Sequence, residues 1–355
     1  MHWRRSGLVE MHLNTRVKVV HFQRKPPLGF FSIERLFDDI RSALPRDIVA
    51  TVHLNRYLSA GSWRRIVDIL RAARHQGEIN HITGDVHYLT YFLERKRTVL
   101  TIHDCVTLER LRGLRRWVFW FFWYWLPANR CAVITVISES TKQQLLRYLR
   151  CDPDKIRVIH CPVSDEFTAS EKHFNDKCPR ILQIGTTENK NIPRVAEALQ
   201  GLPCCLSIIG PLSAVQKKIL ARFGIVYENQ VGLSREKLLN QYSEADLVMF
   251  ASLYEGFGLP IVEANAVGRP VITSRLYSMP EVGGNAACYV NPYDVADIRA
   301  AVQRLIKDAS YRRELIESGY KNIERFRLNR IAVEYSDLYR SLAKSPTVKP
   351  NDGHL

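Results

Sequence analysis

The amino-acid sequence predicts an α/β fold with two parallel β-sheets, and three observations support this. The 355 residues correspond to about two domains of roughly 150 residues each. The composition, 46% hydrophobic and 25% charged, is that of an ordinary globular protein. Short β-branched runs alternate with longer helical patterns along the whole chain, which is typical of parallel sheets built from βαβ units.

Five apolar runs predict the strands of a first sheet, since each is followed by turn residues and a helical pattern. They are Val17–Phe22, Asp47–His53, Val99–His103, Val133–Ile137 and Ile156–Ile159. The polar segment Cys161–Lys177 contains Pro162 and has no clear hydrophobic period, so it is the predicted linker. The pattern then restarts with five more predicted strands, Arg180–Ile184, Cys204–Ile209, Leu247–Phe250, Val271–Thr273 and Ala287–Val290. Asp297–Lys307 is an example of the helices predicted in this half.

The charge of the chain is unevenly distributed. The net charge is +15, and residues 1–150 carry +13 of it. A first half this basic is expected to face something anionic, such as phospholipid headgroups, a phosphorylated lipid or nucleic acid. A generally basic proteome is the alternative explanation.

The cysteine pattern and the N-terminus both indicate a cytosolic protein. The eight cysteines form no CxxC pair and have no histidine at metal-ligand spacing, so they are interpreted as reduced core residues, and no metal site is expected. The first fifteen residues include Arg4 and Arg5 but no apolar h-region, which argues against a secretory signal.

An aromatic segment, Trp117–Leu126, breaks the alternating pattern. Ten helical residues span only about 15 Å, half of a bilayer core, so a transmembrane helix is excluded. Indole rings next to guanidinium groups favour the headgroup region of a membrane, and a buried aromatic helix is the alternative. The predicted contact with an anionic membrane surface uses Arg112, Arg115, Arg116, Trp117, Trp120 and Trp123.

The strongest chemical signal is the segment Ala251–Pro270. A Gly-rich turn follows the strand Leu247–Phe250 and leads into a helix with Pro260 in its first turn. Free N–H groups at the start of that helix can bind a phosphate or a polar sugar ring. Glu263, one turn further along, is placed to accept hydrogen bonds from vicinal hydroxyls such as those of a ribose.

These residues resemble the E-x7-E signature of the family 4 retaining glycosyltransferases. Segments 242–246, 268–272 and 280–282 are similar to the family's flanking segments, and the likeness covers residues 180–325 most strongly. The signature residues are Glu255 and Glu263, with Gly256, Phe257, Gly258, Pro260 and Ala264 between and beside them.

The resemblance implies the GT-B fold, in which two Rossmann-like domains face each other across a cleft. Residues 1–165 would bind the acceptor and residues 178–330 the nucleotide sugar. In residues 331–355, a C-terminal helix would pack back on the first domain before a disordered tail that begins near Lys344. The resemblance further implies that Glu263 binds the nucleotide ribose, while Glu255 and the backbone of Phe257, Gly258 and Leu259 hold the donor sugar and its phosphates.

A second group of residues opens the second domain. A strand ends at Gly185 and Thr186, and a short loop then carries Lys190 into a helix, an arrangement that can cradle a pyrophosphate. Lys190 would supply the positive charge. The family commonly has an arginine beside this lysine, whereas the adjacent residue here is Asn189, so Arg194 or another basic residue would have to compensate.

The first half supplies weaker candidates. His103 ends a strand where related enzymes bring a histidine toward the donor sugar, so it is predicted, with Glu255 and Lys190, as a catalytic residue, and a structural histidine is the alternative. Gly29 and Lys25 lie in the first strand-to-helix loop, on the expected acceptor side. His81 and His87 are assigned to the cleft wall or the acceptor side, and Ser138 is interpreted as a helix N-cap.

The predicted reaction is transfer of a hexose from a nucleotide sugar to an acceptor hydroxyl with retention at the anomeric carbon and without a metal. The acceptor is expected to be a saccharide, lipid-linked, at the cytosolic face of a membrane, and nucleic acid is not expected to bind. GDP-mannose and UDP-hexoses both remain open as donors, with mannose favoured by family habit. The alternatives are a nucleotide-sugar epimerase or a phosphorylase of the same fold, and a noncatalytic protein that binds membrane or nucleic acid.

Overall fold

The computed structural model describes residues 16–25, 32–58 and 61–344 and contains two six-stranded parallel sheets. The first sheet has the order β2-β1-β3-β4-β5-β6. Its strands are β1 (Val17–Gln23), β2 (Ile48–Leu54), β3 (Ile79–Ile82), β4 (Thr98–Ile102), β5 (Val133–Val136) and β6 (Ile156–Val158).

The second sheet has the order β12-β11-β10-β7-β8-β9, in which the direction of winding reverses between β7 and β10. Ligands of open α/β sheets bind beyond the carboxyl ends of the strands at such a switch point. The strands are β7 (Arg180–Ile184), β8 (Cys205–Ile209), β9 (Tyr227–Gln230), β10 (Leu247–Phe250), β11 (Val271–Ser274) and β12 (Cys288–Val290).

Helices cover both sheets. Those of the first half are α1 (Ser32–Ala43), α2 (Ser62–Arg74), α3 (Val106–Arg110), α4 (Gly113–Trp120), α5 (Leu126–Asn129) and α6 (Glu139–Tyr148), with a π-helical turn at Phe121–Trp125. Those of the second half are α7 (Ile192–Leu199), α8 (Ala214–Arg222), α9 (Arg235–Glu244), α10 (Leu259–Val267), α11 (Met279–Gly283), α12 (Val295–Lys307), α13 (Ala309–Asn322) and α14 (Leu328–Ala343). Short 3-10 turns lie at His87–Phe92, Arg95–Arg97, Pro153–Lys155, Glu188–Lys190 and Ile323–Phe326.

The two-sheet α/β prediction is confirmed, and all ten predicted strands are present with ends shifted by at most one residue. The predictions missed β3 and β9. Strand β9 reads YENQ and lies at the sheet edge, where polar side chains stay in solvent. All eight cysteines are free, and five of them are buried, whereas Cys178 is exposed rather than in the core.

The last described helix returns to the first sheet. Residues 161–177 form an irregular connection, and α14 packs against α1 and β1. The hydroxyl of Tyr339 on α14 lies 3.0 Å from Nε2 of His21 and 2.7 Å from Nδ1 of His81. Arg340 adds a two-pronged ion pair with Asp47 at 2.8 and 3.0 Å. Residues 345–355, expected to form a disordered tail, lie outside the described residues.

The aromatic segment is helical and amphipathic, so it is not fully buried, while two of the three tryptophans in the predicted membrane contact are only partly exposed. Trp120 and Trp123 are half-buried, and their indole N–H groups donate to the carbonyls of Tyr148 and Asp85. The π turn adds a residue to one turn and rotates the next residues relative to a regular helix. The exposed apolar face therefore consists of Leu114, Trp117, Val118, Phe122 and Trp125.

Candidate active site

The Gly-rich turn after β10 leads directly into α10. Gly258 is the N-cap residue of α10 with φ +110°, a conformation that favours glycine, and Pro260 lies in the first turn. The first N–H groups of a helix have no partner within it and carry the positive end of its dipole. This end of α10 lies at the carboxyl edge of the second sheet, beside the switch point.

Lys190 and Glu255 form an ion pair at this edge. Nζ of Lys190 lies 2.6 Å from Oε1 of Glu255, and both side chains are largely buried. The amide of Asn189 donates to the same carboxylate oxygen at 3.1 Å and to the carbonyl of Tyr254 at 2.9 Å. Nζ also lies 4.5 Å from the ring centroid of Phe250, a cation–π contact. Asn189 therefore orients Glu255 where the family commonly places an arginine.

Gly185 lets Lys190 cross the end of β7. Gly185 has φ +86°, and a Cβ atom there would lie 2.9 Å from Cε of Lys190. Thr186 follows, and its hydroxyl donates to the carbonyl of Pro211 at 2.7 Å. The Thr186 hydroxyl is thus occupied within the second domain.

Glu263 lies one turn into α10 with its side chain half-buried. It accepts a hydrogen bond from the hydroxyl of Tyr242 on α9. Burial raises the pKa of the Glu263 carboxyl, although the Tyr242 hydrogen bond and the charges of Arg235 and Lys190 oppose the rise. Burial and the neighbouring Glu263 in turn raise the pKa of Tyr242 well above its usual value.

His103 is a residue of the first domain that lies next to the turn before α10. Nε2 of His103 lies 2.8 Å from the carbonyl of Thr83, which leaves Nδ1 as the unprotonated nitrogen of the neutral ring. Burial lowers the pKa of His103 and favours that neutral form. The backbone of His103 also contacts the Gly-rich turn at residues 255–258, which we call the donor-type turn. A Cβ on Gly256 would lie 2.3 Å from the His103 carbonyl oxygen.

The side chains of several other predicted residues do not join this cluster. The side chain of Phe257 is buried, with its ring centroid 5.5 Å from that of Phe326, so only its backbone faces the turn. Lys25 is exposed, and Gly29 lies outside the described residues. His81 and His87 are both buried inside the first domain, so neither ring forms an exposed part of the cleft wall, and a place on the acceptor side stays a prediction.

Three residues of the cluster were not predicted. Ser278 donates to the carbonyls of Glu255 and Phe257 at 2.9 and 2.8 Å, and these hydrogen bonds stabilise the turn. Tyr254 and Glu281 contact the first domain. Glu281 belongs to the segment 280–282 noted for its family likeness, but no pattern within one sequence indicates a partner in the opposite domain.

Within residues 16–25, 32–58 and 61–344, no group of three or more His, Cys, Asp or Glu side chains is placed to hold a metal ion. In the same part of the chain no helix is sufficiently long and apolar to cross a membrane.

Solved structures with the same architecture are glycosyltransferases of the GT-B class. HepE of Anabaena in complex with UDP and glucose superposes with a TM-score of 0.75 at 15% identity, covering 92% of this chain and 100% of that chain. Sucrose-phosphate synthase of Thermosynechococcus elongatus gives a TM-score of 0.74 at 15% identity, covering 93% and 100%. At these identities the likeness establishes the GT-B fold.

Sequence relatives define the family. The model for glycosyl transferases group 1 matches residues 164–322, and that for glycosyltransferase family 4 matches residues 13–167. The O-antigen chain mannosyltransferase B of Escherichia coli is 35% identical over 73% of this chain and 74% of its own length. The chain therefore belongs to the family 4, group 1 glycosyltransferases.

Two further relatives share the description mannosyltransferase. The MMP alpha-(1->4)-mannosyltransferase of Mycolicibacterium hassiacum is 27% identical over 85% of this chain and 82% of its own length. The serotype-specific mannosyltransferase WbdA of Escherichia coli is 30% identical over 62% of this chain, but the match spans only 30% of WbdA.

Proposed function

We propose that the protein is a retaining hexosyltransferase that moves mannose from a nucleotide sugar to a saccharide acceptor in the assembly of a surface polysaccharide or lipopolysaccharide. Two relatives that cover more than 70% of this chain support the sugar, since they are named mannosyltransferases. HepE, which shares the fold, supports a nucleotide-sugar donor because its structure contains UDP and glucose.

The observation that carries the proposal is the grouping of Lys190, Glu255 and Glu263 at the start of α10. The Nζ of Lys190, 2.6 Å from Glu255, supplies a cation beside free helix N–H groups, which suits a diphosphate. The half-buried Glu263 carboxylate suits the vicinal hydroxyls of a ribose. Glu255 would accept hydrogen bonds from the donor sugar.

During transfer, negative charge develops on the departing nucleoside diphosphate. Lys190 and the N-terminus of α10 would stabilise that charge in the way that an oxyanion hole does. The acceptor hydroxyl attacks from the face that the diphosphate leaves, and a diphosphate oxygen takes its proton, so retention requires no protein nucleophile. We propose that no metal ion is needed, which predicts unchanged turnover after treatment with EDTA.

We further propose that the acceptor is lipid-linked and that the protein binds an anionic membrane surface from the cytosolic side. The exposed apolar side chains of the aromatic segment lie beside Arg112 and Arg115. Trp117 is 58% exposed, a large hydrophobic area for a protein surface.

Vesicle cosedimentation tests the membrane surface. The triple change of Trp117, Phe122 and Trp125 to serine should weaken binding to vesicles with phosphatidylglycerol, and vesicles of phosphatidylcholine alone should bind less of the wild type. Val215→Ser with Val231→Ser, at exposed positions of the second domain, is the matched control. Equal binding by the triple variant and the control would contradict the proposal that this face binds the membrane.

The experiment that tests the proposed function is thermal unfolding with UDP, GDP and ADP and their sugars, followed by product analysis. A ligand that binds the folded state raises the midpoint. We expect a shift specific to one base that Glu263→Ala abolishes, and an α-linked product from an α-linked donor by NMR. A folded wild type that no nucleotide stabilises, and that binds RNA in a salt-sensitive way, would contradict the proposal.

A further inference from the structure

Glu281 of α11 forms hydrogen bonds with the first domain. Its two carboxylate oxygens accept hydrogen bonds from the backbone N–H groups of Glu139 and Ser140, at 2.8 and 3.1 Å. These are the first residues of α6, whose N–H groups have no partner within the helix. A carboxylate at a helix N-terminus is further favoured by the helix dipole.

His160, which directly precedes the irregular connection, binds the same carboxylate. Its Nε2 lies 2.9 Å from Oε1 of Glu281. Although burial opposes ionisation, the hydrogen bonds from His160, Glu139 and Ser140 lower the pKa of Glu281 below its usual value. The side chain is therefore an anion with three donors at neutral pH.

The N-cap residue of α11 contacts the donor-type turn. Ser278, the N-cap residue of α11, donates to the carbonyls of Glu255 and Phe257 on either side of Gly256. Because α11 is only five residues long, Ser278 and Glu281 form one rigid unit. One short helix thus contacts the turn through its first end and α6 through its carboxylate.

The turn itself meets α6 directly. Oγ of Ser138 and Oγ1 of Thr141 both lie within hydrogen-bond distance of the Gly256 carbonyl, at 2.7 and 3.2 Å. The hydroxyl of Tyr254 accepts from the backbone N–H of Cys105 at 3.2 Å and donates to the side chain of Gln144 on α6 at 3.0 Å. The N-terminal turn of α6 is thus enclosed between the Gly256 carbonyl and the Glu281 carboxylate.

We propose that Glu281 is a positioning residue that couples closure of the two domains to the placement of the donor-type turn. When Glu281 binds the first turn of α6, the backbone of Gly256 is held against that of His103. Ser278 of the same short helix fixes the position of Glu255 through its carbonyl. This inference rests on the proposed function, since it assigns a step of that reaction to a residue remote from the reacting atoms. Without Glu281, the second domain should still bind a nucleotide, but the cleft should close less completely.

The test compares Glu281→Gln and Glu281→Ala with the control Glu317→Gln, an exposed carboxylate on α13. We expect both Glu281 variants to lower kcat by about 10- to 100-fold. Nucleotide affinity should stay within about twofold of the wild type, because the Lys190 and Glu263 region is untouched. Hydrolysis of the donor by water should rise relative to transfer, since an incompletely closed cleft admits water.

Hydrogen exchange provides the structural readout. The amides of Glu139 and Ser140 should exchange faster in Glu281→Ala, while those of β7 and β10 stay protected. A kcat and a transfer-to-hydrolysis ratio equal to those of the control would overturn the inference while leaving the proposed function intact. A wild type that neither binds nucleotides nor transfers sugar would instead overturn the proposed function and this inference with it. The glutamine variant, equal in size to glutamate, serves if the alanine variant does not fold.

Discussion

The ammonium group of Lys190 lies 2.6 Å from Oε1 of Glu255, so this cation is paired with a carboxylate of the turn that precedes α10. A bound diphosphate would compete with Glu255 for Lys190, while Asn189 retains its hydrogen bond to the carboxylate. Donor binding would then turn one ion pair into two contacts with the donor, Lys190 to phosphate and Glu255 to sugar.

Lys190→Gln tests this exchange. Removing the cation should lower kcat by about 10²- to 10³-fold, the usual effect of losing one group that stabilises developing charge. Nucleotide affinity should fall less than kcat, because the helix N-terminus and Glu263 remain. Steady-state kinetics with the best donor measure both. Lys217→Gln on α8, an exposed lysine, should behave as the wild type, and equal losses in both variants would argue against a specific role for Lys190.

Gly185→Ala should displace Lys190 without removing it. Two costs arise: the positive φ of +86°, and a Cβ atom 2.9 Å from Cε of Lys190. Gly224→Ala is the matched control, because Gly224 has φ +62° with no atom within 4 Å of the added Cβ. Both variants should lose about 1 kcal/mol of unfolding free energy from the backbone term. Only Gly185→Ala should also lose turnover, and similar activity in both would show that Lys190 adjusts freely.

Glu263→Gln should separate stability from binding. Burial raises the pKa of Glu263 above its value in the unfolded chain, so the folded protein loses stability as the pH rises from the unfolded value to the raised one. The loss persists at neutral pH. The glutamine variant removes it, and its Tm at pH 7 should therefore equal or exceed that of the wild type.

The same variant should lose the nucleotide-dependent rise in Tm, because the amide would replace the carboxylate that we propose binds the ribose. In the wild type, nucleotide affinity should fall as the pH drops through the raised pKa of Glu263, and the residual affinity of Glu263→Gln should lack that step. Calorimetric titration with nucleotide at several values between about pH 4.5 and 8 measures this pH dependence. A wild-type affinity that does not change with pH would contradict the role of the carboxylate.

The predictable part of this protein is local in sequence. Strands such as Leu247–Phe250 are buried apolar runs bounded by turn residues, and Glu255, Gly258 and Glu263 belong to one continuous segment. Strand β3 reads INHI, and one of its two polar residues has a distant partner: His81 reaches Tyr339, 258 positions away. The contact of Glu281 with α6 likewise joins residues about 140 positions apart, and the π turn after Trp120 depends on packing.

One buried hydroxyl lies between α14 and the first sheet. Tyr339 is fully buried between His21 and His81, and burial, together with the nearby His103, lowers the pKa of His81 to about 3, so that ring is neutral at physiological pH. Tyr339→Phe removes the partner of two buried ring nitrogens without changing the aromatic packing.

We expect Tyr339→Phe to lose about 1–3 kcal/mol of unfolding free energy, the cost of leaving buried polar groups without a partner. Urea unfolding at pH 7 measures the loss, and Tyr293→Phe, where the ring is 57% exposed, should change stability by less than about 0.5 kcal/mol. Nucleotide affinity should be unchanged in both variants, because α10 and β7 do not contact this hydroxyl. Equal stability of the two variants would mean that water replaces the lost hydroxyl, and that α14 is held instead by Arg340 and its ion pair with Asp47.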